Sequence, residues 1–138
     1  MPKRLSEVHN FMGKERLASI ATVGHNNEPH VVPVFFTCEE GRVYIQTSRS
    51  SIKVRNLMKN DNVAIAVYTL PFGEEAVIIR GKARIIDSDE EFVKRTQDHV
   101  KKYQLKLDKL GRDSLGIPLF DKKIRCVIEV TPKRIKFW

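Results

Sequence analysis

The strongest constraint on the fold is a succession of short apolar runs, each closed by a turn cluster. Leu17–Val23 ends at Gly24-His25-Asn26-Asn27-Glu28-Pro29, and His30–Cys38 ends at Glu39-Glu40-Gly41. Arg42–Thr47, Val63–Tyr68, Ala76–Asp87 and Lys123–Thr131 follow, the last broken from Arg134–Trp138 by Pro132. Runs of four to about ten residues, rich in Val, Ile and Phe and bounded by Gly, Pro, Asn and Asp, are strand signals. The first three are spaced as an antiparallel meander. Val63–Tyr68 is apolar throughout, as a strand covered on both faces is. Gly81 interrupts the longest run and marks a bulge or a barrel corner, where the backbone turns without a Cβ.

Helical period enters at three places. Residues 5–14 place Leu5, Val8 and Met12 on one face behind Ser6. Ser50–Lys59 places Val54, Leu57 and Met58 together. Ser88-Asp89-Glu90-Glu91 has the form of a capping box and opens a helix whose apolar face is Phe92, Val93, Thr96, Val100, Tyr103 and Leu107. About six strands with few helices predict a mainly-β, closed or partly closed antiparallel barrel, in one domain spanning residues 1–138. Leu70-Pro71-Phe72-Gly73 and Gly111–Asp121 read as loops.

A chain of 138 residues buries a core without disulfides or metals. No run approaches the roughly 20 apolar residues of a membrane span, and the basic N-terminus lacks the apolar segment of an export signal. Cys38 and Cys126 sit inside apolar runs and are expected to be reduced, in a cytoplasmic protein. The net charge of +8 arises entirely beyond residue 93, with 13 Lys and Arg against 5 Asp and Glu. Such a segment is either a solvated helix face or a surface for anionic partners.

Dinucleotide, P-loop, zinc-protease and serine-hydrolase motifs are absent. The four histidines are scattered, so no metal site is expected. The segment that concentrates chemistry is Thr47-Ser48-Arg49-Ser50-Ser51-Ile52-Lys53. Four hydroxyls and two cations fall where a strand hands over to a helix, whose first turn offers free N–H groups and the positive end of its dipole. That combination is a phosphate site; the alternative is a serine that caps the helix. Pro33, inside a strand run, removes a ladder hydrogen bond. It suits either an edge strand or a strand whose backbone at Val32 and Val34 faces a ligand.

These pieces stand in an order that resembles the pyridoxamine 5'-phosphate oxidase-like family of FMN-binding split β-barrels. His30-Val31-Val32-Pro33-Val34-Phe35-Phe36, Gly41-Arg42-Val43-Tyr44, Thr47-Ser48, Ser51-x-Lys53-x-x-Asn56-Leu57, Asn62-Val63-Ala64, Gly81-Lys82-Ala83-Arg84-Ile85 and Thr131-Pro132-x-Arg134-Ile135-x-x-Trp138 carry the likeness. The resemblance implies a homodimer with cofactor at the interface and a small-molecule substrate. Thr47, Ser48, Ser51 and Lys53 would hold the cofactor phosphate. Val32, Pro33 and Val34 would face the ring, and Trp138 would approach it. Ile52 stands where the oxidase has an arginine, and the oxidase's arginine- and histidine-rich substrate segment has no counterpart, so pyridoxamine phosphate oxidation is not expected. The expected activity is an FMN-dependent oxidoreduction. The rivals are a deazaflavin-dependent reductase, a cofactor-free or haem-handling relative, and a basic barrel binding nucleic acid. The last is disfavoured because Phe92 and Tyr103 lie apart from the lysines rather than among them. No residue is identified as the catalytic acid or base; His30 and Tyr68 could donate protons but read as strand residues.

Overall fold

The computed structural model describes residues 5–69 and 74–137, so the expected loop at Leu70–Gly73 and the closing Trp138 lie outside the described residues. The elements are α1 (Leu5–Lys14), β1 (Ala18–Val23), β2 (Pro29–Val34), β3 (Thr37–Glu39), β4 (Arg42–Ser48), α2 (Ile52–Lys59), β5 (Asn62–Tyr68), β6 (Ala76–Ile85), α3 (Asp89–Tyr103) and β7 (Arg125–Phe137). All strand pairs are antiparallel, in the order β2-β1-β5-β6-β7-β4-β3.

That order dictates the shape. The edge strands β2 and β3 are joined only by Phe35 and Phe36. Three Cα steps reach about 11 Å at most. Seven strands laid flat would separate their edges by about 29 Å. The sheet therefore curls until its edges meet, giving the split half-barrel that the sequence predicts. Tyr103 of α3 pins the crossing. Its hydroxyl accepts from the Phe36 N–H at 2.9 Å and lies within donating distance of the Arg16 carbonyl at 2.8 Å.

The core fills the curl. Ile20, Phe36, Ile45, Ile65, Val67, Val77 and Ile128 are all but inaccessible. Val8, Phe11 and Met12 of α1 close one side, with Phe11 stacked obliquely on Phe137 at 5.1 Å. Each such side chain contributes roughly 1.5–3 kcal/mol on burial.

The structure corrects several expectations. His30–Cys38 is two strands, not one, because the chain crosses from one sheet edge to the other at Phe35-Phe36. The first three expected strands are consequently no meander: β4 pairs with β3 and β7, away from β1 and β2. On α2, Met58 is 75% exposed. Asn56 takes the inward position instead, donating to Thr22 Oγ1 at 3.0 Å. On α3, His99 rather than Val93 faces inward, and the helix ends before Leu107. Pro132 does not break β7. It lies opposite Gly81 at a register shift, where the ladder is already interrupted. The predicted cap of α3 is present, with Ser88 Oγ accepting from the Glu91 N–H at 3.3 Å.

Candidate functional site

At the β4–α2 junction the chain folds its serines onto one another. The Ser50 N–H donates to Ser48 Oγ at 3.3 Å, and the two hydroxyls lie 3.0 Å apart. Ser51 occupies the N-cap position of α2, yet its hydroxyl donates backward to the Ser48 carbonyl at 2.8 Å. A capping serine would accept from the second or third helical N–H; here no side chain caps the helix. The first-turn amides of α2 thus keep their donor capacity beside three hydroxyls. The alternative of a simple helix cap is not what this geometry does.

Strand pairing adds charge to the junction. Ser48 lies opposite Arg125 and Thr47 opposite Cys126, across β4 and β7. Arg125 donates from Nε and Nη2 to Gln46 Oε1 at 3.1 and 2.7 Å. Gln46 Nε2 in turn donates to the Leu119 carbonyl at 2.6 Å. Arg49 Nε donates to the Lys122 carbonyl at 2.6 Å, and the Arg49 N–H to the Ile124 carbonyl, which seats the loop. Burial pushes the Lys53 ammonium below its ordinary value, and neighbouring Arg125 pushes the same way. Burial pushes the Cys126 thiol up, against the pull of Arg49, Arg125 and Lys53. Among the described residues no carboxylate pairs with Arg49, Lys53 or Arg125. Unpaired cations, uncapped amides and hydroxyls in one place can hold an anion with two or more negative charges.

Ile52, at the first helical position, is half exposed at the solvent edge of the junction. Val32, Pro33 and Val34 lie elsewhere. Val34 is in the core, Val32 packs against it, and Pro33 points outward opposite Ser19. Their strand is an edge, which is why proline is tolerated there. No hydrogen bond, ion pair or ring contact joins them to Ser48–Lys53 among the described residues. Tyr68 is half exposed at the end of β5, and His30 Nδ1 is buried without a partner. Arg125 and Gln46 escaped the sequence reading, because only the β4–β7 register brings them to the junction. No group of three or more His, Cys, Asp or Glu suited to a metal occurs among the described residues. No described helix is long and apolar enough to cross a membrane.

Residues 5–138 match the family model described as pyridoxamine 5'-phosphate oxidase. The chain belongs to that family. The chain is 37% identical over 94 residues to a 5a,11a-dehydrotetracycline/5a,11a-dehydrooxytetracycline reductase of Streptomyces rimosus. The match takes in 62% of this chain and 66% of the reductase, just under two thirds of the latter's length. Among solved structures, a conserved hypothetical protein of Mycobacterium tuberculosis superposes with a TM-score of 0.82 at 18% identity, over 99% of this chain and 84% of that one. An F420 reductase superposes with a TM-score of 0.72 at 18% identity, over 93% and 94%. The fold of this pyridoxamine 5'-phosphate oxidase family member is thus shared with both structures.

Proposed function

We propose that this family member is a flavin-dependent oxidoreductase that seats the phosphate of FMN at Thr47, Ser48, Ser51 and Lys53. The observation that carries the reading is the half-buried Lys53 beside an uncapped α2, with Arg49 and Arg125 adjacent and, among the described residues, no carboxylate in direct ion-pair contact with any of the three, Asp113 acting on Arg125 only from a distance. Half-burying a lysine without a counter-ion is costly, and a phosphate supplies one. Ser48 and Ser51 would orient it, while the Arg125–Gln46–Leu119 chain holds the guanidinium in place. Bound flavin would supply hydride or electron transfer, and the protein's part is position and exclusion of water. The similarity to a reductase supports reduction of a small organic substrate.

A second reading, a deazaflavin coenzyme, is favoured by Arg125. It adds a third cation beyond the pair in Arg49–Lys53, as a more acidic ligand tail would require. Two copies pair in this proposal, and half-exposed Leu17 and Phe35 at the sheet crossing supply apolar surface for it. A nucleic-acid surface receives less support. Lys94 and Arg95 are tied to Glu39 and Asp98, Lys122 to Asp89, and Lys102 lies over the Phe36 ring.

The test is an absorbance spectrum of the purified protein, with mass spectrometry of whatever denaturation releases. Released FMN supports the leading reading, and tighter titration by a deazaflavin supports the second. A colourless protein that takes up neither would end both.

A further inference from the structure

A second concentration of uncompensated charge lies on the outer face of the sheet, away from the β4–α2 junction. Arg80 of β6 and Arg134 of β7 are direct cross-strand partners. Like charges placed so, with Cβ atoms about 4.5–5.5 Å apart, destabilise a sheet. The register shift sits beside them. Pro132 pairs with Gly81 and Arg134 with Arg80, so Lys133 is the extra residue of a bulge. Bulges re-aim side chains, and here a third cation joins the pair at one groove. Among the described residues none of Arg80, Lys133 and Arg134 has an ion-pair or hydrogen-bond partner. Two other cations of β6 are paired, Arg84 with Glu129 and Lys82 with Asp61.

The groove measures about 410 Å³, within the range of small-molecule sites. The rest of its lining is mostly apolar, with Thr22 and Asn62 the polar exceptions. Ala21 pairs with Ala64, and Ala64 with Arg80, so two methyl side chains continue the row that ends at Arg134. Val23 and Pro29 border them. A flat, low floor beside a cationic end fits a ligand with a planar ring body and one anionic group.

We propose that this groove binds a planar organic anion, an aromatic carboxylate or enolate. Its ring lies over Ala21 and Ala64, and its charge lies on Arg80 and Arg134 with Lys133 in support. The ligand would neutralise the repulsion that the empty pair carries. This site is independent of the phosphate reading, since it shares no residue with Ser48–Lys53.

The test uses the full chain labelled with ¹⁵N and titrated with 2-naphthoate, alongside 2-naphthalenemethanol as the neutral molecule of the same shape. Naphthoate should shift the amides of Ala21, Ala64, Arg80 and Arg134, and the alcohol should not saturate. Arg80→Gln and Arg134→Gln should each weaken naphthoate binding about tenfold, the loss of one charge-assisted contact. Each should also raise Tm by roughly 1–3 °C, because the opposed charge is removed. Lys53→Met should bind naphthoate as the parent does, even where it abolishes FMN uptake, so the two sites fail separately. Equal binding of the alcohol, unchanged affinity in both glutamine variants, shifts confined to Ser48–Lys53, or no uptake because a second copy covers the face would each overturn the proposal.

Discussion

Replacing Gly81 by alanine tests the account of how this barrel is bent. A Cβ at Gly81 would lie 2.2 Å from the Thr131 carbonyl oxygen, 3.0 Å from its carbon and 3.1 Å from Pro132 Cα. Even a close C–H···O contact needs about 3.3 Å, so the overlap is about 1 Å. The obstructing atoms are backbone on the facing strand, and no side-chain rotation relieves them. β6 and β7 would have to part locally, weakening the ladder on either side of the bulge. Overpacking costs about 1–3 kcal/mol, and one or two weakened backbone hydrogen bonds add about 1 kcal/mol each. The expected loss is about 3–4 kcal/mol, which for 138 residues lowers Tm by roughly 10–15 °C. Urea unfolding followed by far-ultraviolet circular dichroism, with calorimetry for Tm, measures it. Gly13→Ala is the control. It lies in α1 with no atom within 4 Å of the added methyl, and should gain about 0.5–1 kcal/mol. A Gly81→Ala protein that loses less than about 1 kcal/mol would refute the close-approach argument.

Three further outcomes follow from buried polar groups and one cap. Asn56→Ala leaves the buried Thr22 hydroxyl unpaired and should cost about 1–3 kcal/mol; adding Thr22→Val should restore part of that in a double-mutant cycle. Ser88→Ala removes the α3 cap and should cost about 1 kcal/mol in the same unfolding assay. His99 is held neutral, its pKa pulled from 6.5 to about 4 by burial and then by Arg125, with Lys102 adding and Asp113 opposing. Between those values the unfolded chain takes up a proton that the folded chain refuses. Stability is therefore lost as pH falls from 6.5 towards 4, by up to roughly 3 kcal/mol. His99→Phe should lack that component, and parallel stability curves for the two proteins would refute it.

What was legible in the sequence was local, and what was hidden depended on partners. The Ser88 cap and the α1 face each rest on residues within one or two turns of each other, so the chain announces them; Gly81 shows as a break in its own strand run, although the backbone it makes room for, at Thr131 and Pro132, lies on β7. The gathering of hydroxyls at the β4–α2 junction was legible for the same reason. Arg125 was not, since it reaches Ser48 only through the β4–β7 register, 77 positions along the chain. The crossing at Phe35-Phe36 was hidden by its own regularity. Val34 and Phe36 both face inward with Phe35 outward, so the alternation of a single strand continues unbroken through the corner. Only the adjacent burial of Phe36 and Thr37 marks the break, and both residue types are at home in a strand. The same holds for the outer groove. Arg80 and Arg134 are unremarkable surface arginines until a one-residue bulge sets them face to face, and it is that bulge, fixed by the glycine that tolerates it, which turns two solvated charges into an anion site.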